Sequence, residues 1–450
     1  MGRGQGVPGA AWPTPPERPV PLKAGRRSNI SRMVEERPES HVPGYVRPGH
    51  AFRRVAGERR AWLPVVLSMF TVAWGGNEFT PLLVLYRQAG EFSPVFVDLM
   101  LVAYAIGVAV GLLVTGPLTD RYGRRPIMLP APILAVLASV IIALAEHTAG
   151  WMTIGRFLSG LAVGMAMTGG GSWVKELSAP LFDPGARPSS GAKRASMALT
   201  AGFAVGPAVA GVLAQWLPWP GQLSFGVHVV LSLVLVPLLL TIPETRQPAI
   251  HAKRRSVLDS LRVPSLRNPR FYAVVLPIAP WVFGSGFTAY ATLSARMQDH
   301  VAHPLAFSGA ITLLTLGVGF AIQQAAPAIA GTGGPRGPVV AMVATIAGFV
   351  GAVAVVLNPS VPVMLVACVF LGLSYGLCVY TGLSEVQRMA APNELGALTG
   401  IFYCFTYTGM AFPALLTRLS DWFSYPLMLG FGAVVAMIVL AVVSVTGRRF

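Results

Sequence analysis

The chain has 450 residues, of which 54% are hydrophobic and only 12% are charged, and its mean hydropathy is +0.61. A soluble domain carries roughly twice that share of charged residues, so the composition argues against a soluble enzyme and predicts many membrane spans. The formal net charge of +16 would suit a nucleic-acid binder, but the distribution of that charge along the chain argues otherwise.

The first segment of the chain, residues 1–60, is rich in proline, glycine and arginine and poor in apolar residues. Such a composition predicts a disordered basic tail, which anionic lipid head groups would attract. Apolar sequence begins only at residue 61, so no cleavable signal peptide is predicted. Translation from Met33 instead of Met1 is a further hypothesis, which the intact mass of the native protein would test.

Twelve apolar runs follow, each long enough to cross a hydrocarbon core of about 30 Å, for which about 20 residues are needed. The run at 306–330 is the least regular, because it contains Gln323, Gln324 and Pro327. The predicted spans are 62–86, 94–117, 126–146, 150–173, 196–217, 222–242, 271–293, 306–330, 338–357, 361–383, 396–417 and 425–446.

The positive charges lie mostly on one side of these spans. If the N-terminus is cytoplasmic, all but four of the 34 lysines and arginines fall on cytoplasmic segments. Arg87, Arg296 and Arg418 face outward, and Arg156 lies within a span. This asymmetry predicts a multi-pass protein of the cell membrane, plasma or inner, with both termini in the cytoplasm, and no nucleic-acid partner.

The spans divide into two sets of six. A basic segment, 244–270, is predicted to be a cytoplasmic linker between a six-helix bundle at 61–243 and a second bundle at 271–447. Short matches recur between the halves at offsets of about 206–213 residues, which favours two parallel repeats with a binding site at their interface. The matched pairs are GLAVG at 160–164 with GLSYG at 372–376, Thr168-Gly169 with Thr381-Gly382, Pro207-Ala208 with Pro413-Ala414, and Phe79-Thr80 with Phe287-Thr288.

The loop between spans 2 and 3 carries an unusual cluster of charge. Residues 116–129 read GPLTDRYGRRPIML, which combines small residues, one acid and three arginines between two apolar walls. This pattern resembles the cytoplasmic loop signature of the major facilitator superfamily, the twelve-helix secondary transporters. The resemblance implies a cytoplasmic gate formed by Gly116, Asp120, Arg121, Gly123, Arg124 and Arg125.

The resemblance also implies roles for these residues. Gly116 would let helix 2 approach helix 11, and Asp120 would accept a helix N-terminal dipole or pair with an arginine. Gly123 would provide the turn, while the arginines would bridge to acids and carbonyl groups. Residues 331–338 in the second half contain no acid, so a lock on one side only is expected. The alternative is a basic loop that only fixes the orientation in the membrane.

Span 5 carries the sequence GFAVGPAVAG at 202–211. It resembles the GxxxGPxxGG-type signature of proton-driven exporters, with Ala210 in place of one glycine. The resemblance implies a kinked and closely packed contact that seals the outer half against proton leak. Ordinary packing of small residues between helices is the alternative interpretation. The residues of the predicted antiporter motif are Gly202, Gly206, Pro207 and Gly211.

Three ionisable residues are predicted within the spans. Arg156 begins RFLSGLAVG in span 4, which resembles the arginine motif associated with proton coupling in the same exporters. Glu78 lies in WGGNEFTP of span 1, and Asp98 lies near the start of span 2. At 1.5 Å per residue all three fall roughly 6–9 Å below the outer face. This common depth predicts one proton-coupling cluster that opens outward.

Burial and the positive charge of a neighbouring arginine act on the pKa of a buried acid in opposite directions. Glu78 is therefore expected to bind a proton when the cavity faces out and to release it when the cavity faces in. A cationic or polar substrate that prefers the ionised acid would compete with the proton, which produces antiport. The alternatives are a permanent structural pair of Glu78 with Arg156, and an Asp98 that lies at the level of the lipid head groups.

The predicted substrate cavity is aromatic and contains one buried amide. Asn77, Phe79, Tyr290, Tyr380 and Tyr403 are its predicted residues, with Tyr375 and Tyr407 as further tyrosines of the second-half spans. Such rings suit flat or lipophilic cations, although rings in spans also serve as packing residues or interface anchors. His228 is expected to be an isolated, hydrogen-bonded side chain, and Cys368, Cys378 and Cys404 to be packing residues.

These features together predict an all-α membrane protein with twelve transmembrane helices in two pseudo-symmetric six-helix bundles. The resemblance covers residues 60 to the C-terminus and implies alternating access with proton-coupled efflux of a drug-like molecule or small metabolite. The expected partners are the lipid bilayer, a small-molecule substrate and protons, with the proton gradient as energy source. A monomer is expected, and no enzyme activity, cofactor or metal.

Two alternatives remain open at this point. The first is a proton symporter or facilitator that imports a solute such as a sugar, since PETR at 243–246 resembles the end of span 6 in sugar porters. The second is a membrane sensor or scaffold without transport activity, which would require a further folded domain or a collapsed cavity. The sequence leaves the identity of the substrate open.

Overall fold

The structure is a computed structural model, and it describes residues 60–145, 147–187, 190–245, 263–330, 334–391 and 394–446, apart from the side chain of Asp120. The predicted tail, most of the predicted linker and the C-terminal end of the chain therefore lie outside the described residues. The part that is described is helical, with no strand in it.

The described residues form twelve helices, ten of which are long and apolar enough to cross a membrane. The other two are α1, which is divided at Glu78, and α4, which contains a π-helical turn at Ala166–Gly170. The twelve are α1 (63–89), α2 (Pro94–Tyr122), α3 (Arg125–Leu144), α4 (149–177), α5 (Ser190–Trp216), α6 (Pro220–Leu240), α7 (Phe271–His300), α8 (Pro304–Ala330), α9 (Arg336–Leu357), α10 (Val361–Met389), α11 (Leu395–Leu419) and α12 (Tyr425–Thr446). The prediction of an all-α membrane protein with twelve transmembrane helices is confirmed.

Helix α1 is interrupted at Glu78. It consists of Leu63–Asn77 and Phe79–Ala89, with Glu78 between the two segments. Pro81 has no N–H to donate to the carbonyl of Asn77, so the hydrogen-bond ladder is broken there. The Glu78 N–H still donates to the carbonyl of Trp74 at 2.9 Å. The backbone consequently remains helical through the break, and Glu78 stays inside the helix.

The GxxxG repeats recognised in the sequence pack equivalent helix pairs. In α4, a Cβ on Gly164 would lie 2.7 Å from the Gly111 Cα of α2. In α10, a Cβ on Gly372 would lie 2.5 Å from the Thr315 carbonyl oxygen of α8, and Gly376 meets Gly319 in the same helix. Small residues permit this close approach of backbones. Helix α4 therefore packs on α2 as α10 packs on α8.

The largest contacts between the two halves are those of α2 with α11 and of α5 with α8, which are equivalent under the repeat. The fold is thus two pseudo-symmetric six-helix bundles. We call the side at which α1 ends and α2 begins the α1–α2 side, and the opposite one the α2–α3 side. The sequence predicts that the first of these faces outward. The exact domain limits stay a prediction, because residues 246–262 and 447–450 lie outside the described residues.

The bundles are in direct contact on the α1–α2 side. The Leu305 N–H of α8 donates to Gln215 Oε1 of α5 at 3.0 Å, and Thr417 Oγ1 of α11 donates to Asp98 Oδ2 of α2 at 2.6 Å. A Cβ on Gly309 would lie 2.6 Å from the Pro207 carbonyl oxygen. The interface between the bundles is therefore closed on this side.

Candidate functional site

Glu78 lies in the middle of the first bundle and is completely buried. Its Oε2 accepts a hydrogen bond from Trp74 Nε1 at 3.1 Å, and its Oε1 accepts one from Ser139 Oγ of α3 at 3.4 Å. The same Oε1 lies 3.8 Å from Nδ1 of His228 in α6. The carboxyl group therefore points between α1, α3 and α6.

The glycine pair before Glu78 explains how these partners fit around α1. A Cβ on Gly75 would lie 2.5 Å from atoms of the His228 ring, so the imidazole occupies the space that a side chain would need. A Cβ on Gly76 would lie 2.8 Å from the Val163 side chain and 3.0 Å from Tyr104 Oη. The sequence WGGNE thus lets α4 and α6 approach α1 from different directions.

Arg156 approaches α1 from α4 and has an exposed fraction of only 1%. Its Nη1 donates to the Gly76 carbonyl at 3.2 Å, and its guanidinium lies 4.5 Å from the Phe79 ring centroid and 4.6 Å from that of Tyr104. Its charge acts electrostatically on Glu78, but in the described part of the chain the two form no salt bridge within 4.0 Å. Among the described residues, the permanent structural pair of Glu78 with Arg156, which the sequence leaves open as an alternative, is therefore not seen as a salt bridge.

Asp98 belongs to a separate group. It is completely buried, forms a salt bridge with Arg87 at the end of α1, and accepts the hydrogen bond from Thr417. Of the predicted cluster, Arg156 acts electrostatically on Glu78, whereas Asp98 pairs with Arg87 and Thr417 instead, and the proton-coupling role of the three stays a prediction. The three share a depth, but depth along a helix does not determine which neighbour a side chain faces. Asp98 instead joins the two bundles at the α1–α2 side.

An aromatic pocket lies between the two bundles, in the middle of the molecule. Its volume is about 10 Å³, which is room for about one water molecule, so it is nearly filled by its own side chains. None of the described residues that line it is charged. The lining residues are Asn77, Tyr104, Phe203, Phe283, Phe287, Tyr290, Leu316, Tyr375, Tyr407 and Met410.

Two of the five predicted cavity residues line this pocket. Asn77 lies in its wall, where its Nδ2 donates to the Phe203 carbonyl at 2.7 Å, and Tyr290 lies opposite in α7. Phe79 instead stacks on Tyr86, with the ring centroids 5.4 Å apart. Phe79 is therefore one layer behind the pocket, against Arg156.

Tyr403 and Tyr380 of the predicted cavity lie elsewhere. Tyr403 packs against Phe402 in α11, with ring centroids 5.6 Å apart, and Tyr380 lines a second cavity of about 290 Å³ on the α2–α3 side. Tyr375 and Tyr407, which the sequence analysis names as further tyrosines of the second-half spans, do line the pocket, and so do the first-half rings Tyr104 and Phe203, which it does not name. Only the arrangement of the helices shows which rings converge.

The loop between α2 and α3 is tied to its own bundle. Arg124 Nε and Nη2 donate to Glu176 Oε1 of α4 at 3.0 and 2.8 Å, and the backbone N–H groups of Arg124 and Arg125 donate to Glu244 after α6 at 3.0 and 2.8 Å. Gly123 has φ +103°, a conformation that favours glycine. The expectation that arginines of this loop bridge to acids agrees with these contacts.

Other residues of the predicted gate behave differently. A Cβ on Gly116 would meet only Thr168 Cγ2, at 4.0 Å, so the expected approach to α11 does not occur at this position. Helix α2 contacts α11 at Asp98, which accepts from Thr417, and at Ala109, whose carbonyl oxygen lies 4.0 Å from Cys404 Sγ. Arg121 lies over the Tyr122 ring at 5.1 Å. Asp120 lies in α2, but its side chain is outside the described part, so its role stays a prediction.

The second half contains a buried ion pair outside the 331–338 loop. Glu385 near the end of α10 accepts hydrogen bonds from Arg270 Nε and Nη2 at 2.5 and 3.0 Å, and from Arg388 at 3.2 Å. Glu385 lies near the end of α10, as Glu176 lies near the end of α4. The expectation of a lock on one side only stays a prediction, and the acid in α10 takes its arginine from the residue just before α7.

The predicted antiporter motif in α5 packs on two helices. A Cβ on Gly206 would lie 2.8 Å from the Trp74 carbonyl oxygen of α1, and Gly202 meets the same segment of α1. A Cβ on Gly211 would lie 2.6 Å from the Leu305 carbonyl oxygen of α8. Pro207 lies between these contacts, within the helix. The motif therefore links α1, which carries Glu78, to the second bundle.

Comparison with known proteins identifies the family. The model of the Major Facilitator Superfamily matches residues 65–414. Multidrug resistance protein MdtL of Escherichia coli O45:K1 is 43% identical over 61 residues, which are 14% of this chain and 15% of that protein. The arabinose-proton symporter of Bacillus subtilis (strain 168) is 30% identical over 90 residues, which are 20% of this chain and 19% of that protein.

The fold has close counterparts among solved structures. A variant of the peptide transporter POT superposes with a TM-score of 0.66 at 15% identity and covers 88% of this chain and 99% of that one. At such identity the likeness shows the fold alone. The family match spans most of the chain, and the family consists of transporters, which are not enzymes. The chain belongs to the Major Facilitator Superfamily and is a multi-pass membrane transporter.

Proposed function

We propose that this chain is a proton-coupled exporter of small aromatic or lipophilic molecules that works by alternating access. The observation that carries the proposal is Glu78, a completely buried acid at the break in α1, next in sequence to Asn77 of the central pocket. Ionisable residues within membrane spans are costly to bury and are characteristic of proton pathways. A proton on Glu78 would therefore change the charge beside the pocket.

The pocket suggests the chemistry of the substrate. Four tyrosines and three phenylalanines line it, and they offer π faces and hydroxyl groups without a formal charge. Flat molecules stack on such faces, and cations gain further attraction from them. The pocket would have to widen to admit a substrate, as separation of the bundles in alternating access would allow. A planar aromatic compound is consequently the best probe.

Coupling requires that protonation of Glu78 affect the interface between the bundles. Gly206 of α5 packs against Trp74, whose indole N–H donates to Glu78. The same helix packs on α8 of the second bundle through Gly211. A change in the charge of Glu78 would alter its bond with Trp74 and so the contact of α1 with α5. This path supports a protonation-dependent movement of the bundles.

The proposal can be tested on the full chain in proteoliposomes with an imposed pH gradient and ethidium as the probe. Ethidium is expected to move against the proton flux, and Glu78→Gln to reduce this pH-driven transport by about tenfold or more, because a neutral amide cannot carry the proton. Glu91→Gln is the matched control, since Glu91 is an exposed acid paired with His147. Unchanged pH-driven flux in Glu78→Gln would contradict the role of Glu78.

A proton symporter that imports a solute is the second candidate. The partial match to the arabinose-proton symporter favours it. Arabinose is therefore the second probe in the same proteoliposomes. Movement of arabinose in the same direction as protons, with no movement of ethidium, would contradict the proposed efflux and support symport.

We also propose the membrane location, the orientation, the energy source and the oligomeric state of the chain. We place both termini in the cytoplasm, with the α1–α2 side outward, and assign the chain to the cell membrane. The support is the positive charge of the segments on the α2–α3 side. The proton gradient would supply the energy, and a monomer would suffice, because each chain contains both bundles.

A further inference from the structure

A continuous series of polar side chains crosses the first bundle. It runs from Glu78 in α1 to Ser139 in α3 and on to His228 and Ser232 in α6. Ser139 Oγ lies 3.4 Å from Glu78 Oε1 and 2.8 Å from His228 Nδ1, and Ser232 Oγ lies 3.1 Å from His228 Nε2. The exposed fraction is zero for all of them except Ser139, for which it is 2%. His228 is thus hydrogen-bonded, as the sequence predicts, but it is not isolated, because Glu78 Oε1 lies 3.8 Å from its Nδ1.

This series lies apart from the substrate pocket. Its carboxyl and imidazole groups point between α1, α3 and α6, while Asn77 faces the pocket on another side of α1. The His228 ring rests on the backbone of Gly75, where only a glycine leaves room for it. The His228 ring is hydrogen-bonded at both nitrogens and lies beside the Glu78 carboxyl group. A residue that only filled space between helices would need neither contact.

We infer that the coupling proton is shared between Glu78 and His228 through the hydroxyl group of Ser139. The inference rests on the proposed function, and it names the residues that hold the proton of that same site. In one form Glu78 is a carboxylic acid that donates to Ser139 Oγ, and the Ser139 hydroxyl donates to Nδ1 of a neutral His228. In the other form Glu78 is a carboxylate and His228 an imidazolium.

The two forms interconvert by a concerted shift of two protons. The Glu78 carboxyl proton moves to Ser139 Oγ as the Ser139 hydroxyl proton moves to His228 Nδ1. Ser139 ends as a neutral hydroxyl that donates to the new carboxylate and accepts from the imidazolium. The total number of protons is unchanged. The hydroxyl group is needed because the acid and the imidazole are 3.8 Å apart, too far for a direct hydrogen bond.

The charges around the series fit a single exchangeable proton. From the helices that pack on α6, Glu78 of α1 is the one ionisable group that faces His228 in the described part of the chain, since α3 supplies Ser139 and the charges of α5 lie near its start. Arg156 of α4 acts on Glu78 from the other side of α1. With the proton released, the carboxylate balances Arg156. With the proton bound, the three groups Arg156, Glu78 and His228 carry a net charge of +1. This charge lies on Arg156 alone when Glu78 is protonated, and His228 also becomes positive when Glu78 passes its proton on.

Infrared titration of the full chain tests the inference without a substrate. The chain is reconstituted in phosphatidylethanolamine–phosphatidylglycerol vesicles, and the protonated-carboxyl band of Glu78 is identified by its loss in Glu78→Gln. His228→Gln is expected to move the titration midpoint of that band by about one pH unit or more. Glu78→Gln should also move the titration of the His228 ring signal, read by NMR, because coupling between two sites is reciprocal.

Two serine variants provide a test of the bridge and its matched control. Ser139→Ala is expected to remove most of the coupling in both directions, because it breaks the bridge. Ser232→Ala is expected to leave the Glu78 band in place, since Ser232 contacts only the far nitrogen of the ring. Each variant is first checked for native elution and thermal midpoint, so that an unfolded variant is not scored.

The outcomes separate this inference from the proposed function. A Glu78 band that titrates at the same pH in His228→Gln, in a folded variant, overturns the shared proton while leaving Glu78 as a coupling acid. A wild-type chain with no pH-driven flux of either probe overturns the proposed function, whatever the infrared result. Reciprocal shifts together with pH-driven flux support both.

Discussion

At the scale of single residues, the interior of the first bundle depends on where small side chains leave room for charged ones. Arg156 would be costly in a membrane interior unless donors, acceptors or rings surround it. Two aromatic rings and one backbone carbonyl do so here. Glu78 has its own donors on another side of α1. Each ionisable side chain is thus accommodated separately, and electrostatic attraction rather than contact connects them.

Gly75 offers a test of this accommodation. We expect Gly75→Ala to lower the free energy of unfolding by about 1–3 kcal/mol, because its methyl group would overlap the buried His228 ring. The measurement is the thermal or denaturant midpoint in detergent. Gly226→Ala in α6 is the matched control, since a Cβ there meets nothing within 4 Å. Equal stability of the two variants would show that the ring can move aside at little cost.

At the scale of helices, two glycines in α4 and two in α10 determine how closely these helices approach their neighbours. Gly160 and Gly164 bring α4 onto α2, and Gly372 and Gly376 bring α10 onto α8. In a bilayer, close packing of this kind replaces the hydrophobic effect as a source of helix association. The recurrence of the arrangement in both halves explains why two sequences with few identical residues form equivalent bundles.

We expect Gly164→Leu and Gly376→Leu to be strongly destabilising, by about 3 kcal/mol or more, because the added side chain would meet backbone atoms that cannot move aside. Gly317→Leu in α8 is the control, as a Cβ there meets nothing within 4 Å. The same detergent unfolding assay measures all three. A similar loss in the control would mean that helix propensity or lipid contact, and not helix packing, determines the result.

At the scale of the whole molecule, the polar contacts on the α1–α2 side join two bundles that would separate in alternating access. Asp98 joins α2 to Thr417 of α11 and is itself held by Arg87. Gln215 joins α5 to Leu305 of α8. These two contacts lie on equivalent helix pairs, so each bundle is held at two places. They stabilise the closed arrangement seen here relative to one that is open on this side.

Thr417→Val should shift that balance. Loss of a hydrogen bond to a buried carboxylate is expected to destabilise the closed arrangement by about 1–2 kcal/mol, which raises the ratio of open to closed molecules roughly 5- to 30-fold. Spin labels at Leu217 and Ala302, across the α5–α8 interface, would report a larger population of long distances. Thr408→Val is the control, because that hydroxyl bonds only within its own helix. An unchanged distance distribution would show that the contact does not hold the bundles together.

The sequence by itself determined the twelve helices, the pairing of two halves and the family. These follow from local properties, since apolar runs of sufficient length must become membrane helices and basic segments orient them. It also identified Glu78, Arg156 and Asn77 as unusual within spans, because polar side chains there are costly wherever they face.

Only the tertiary structure decided which of these side chains meet. The depth along a helix is readable from residue numbers, but the neighbour that a side chain faces depends on the rotation and crossing of helices distant in sequence. Glu78 therefore faces His228 and Ser139 of α6 and α3 instead of Arg156, and Asp98 faces Arg87 and Thr417. Distant helices likewise bring Tyr104 and Tyr407 together in the central pocket, which no spacing in the sequence encodes.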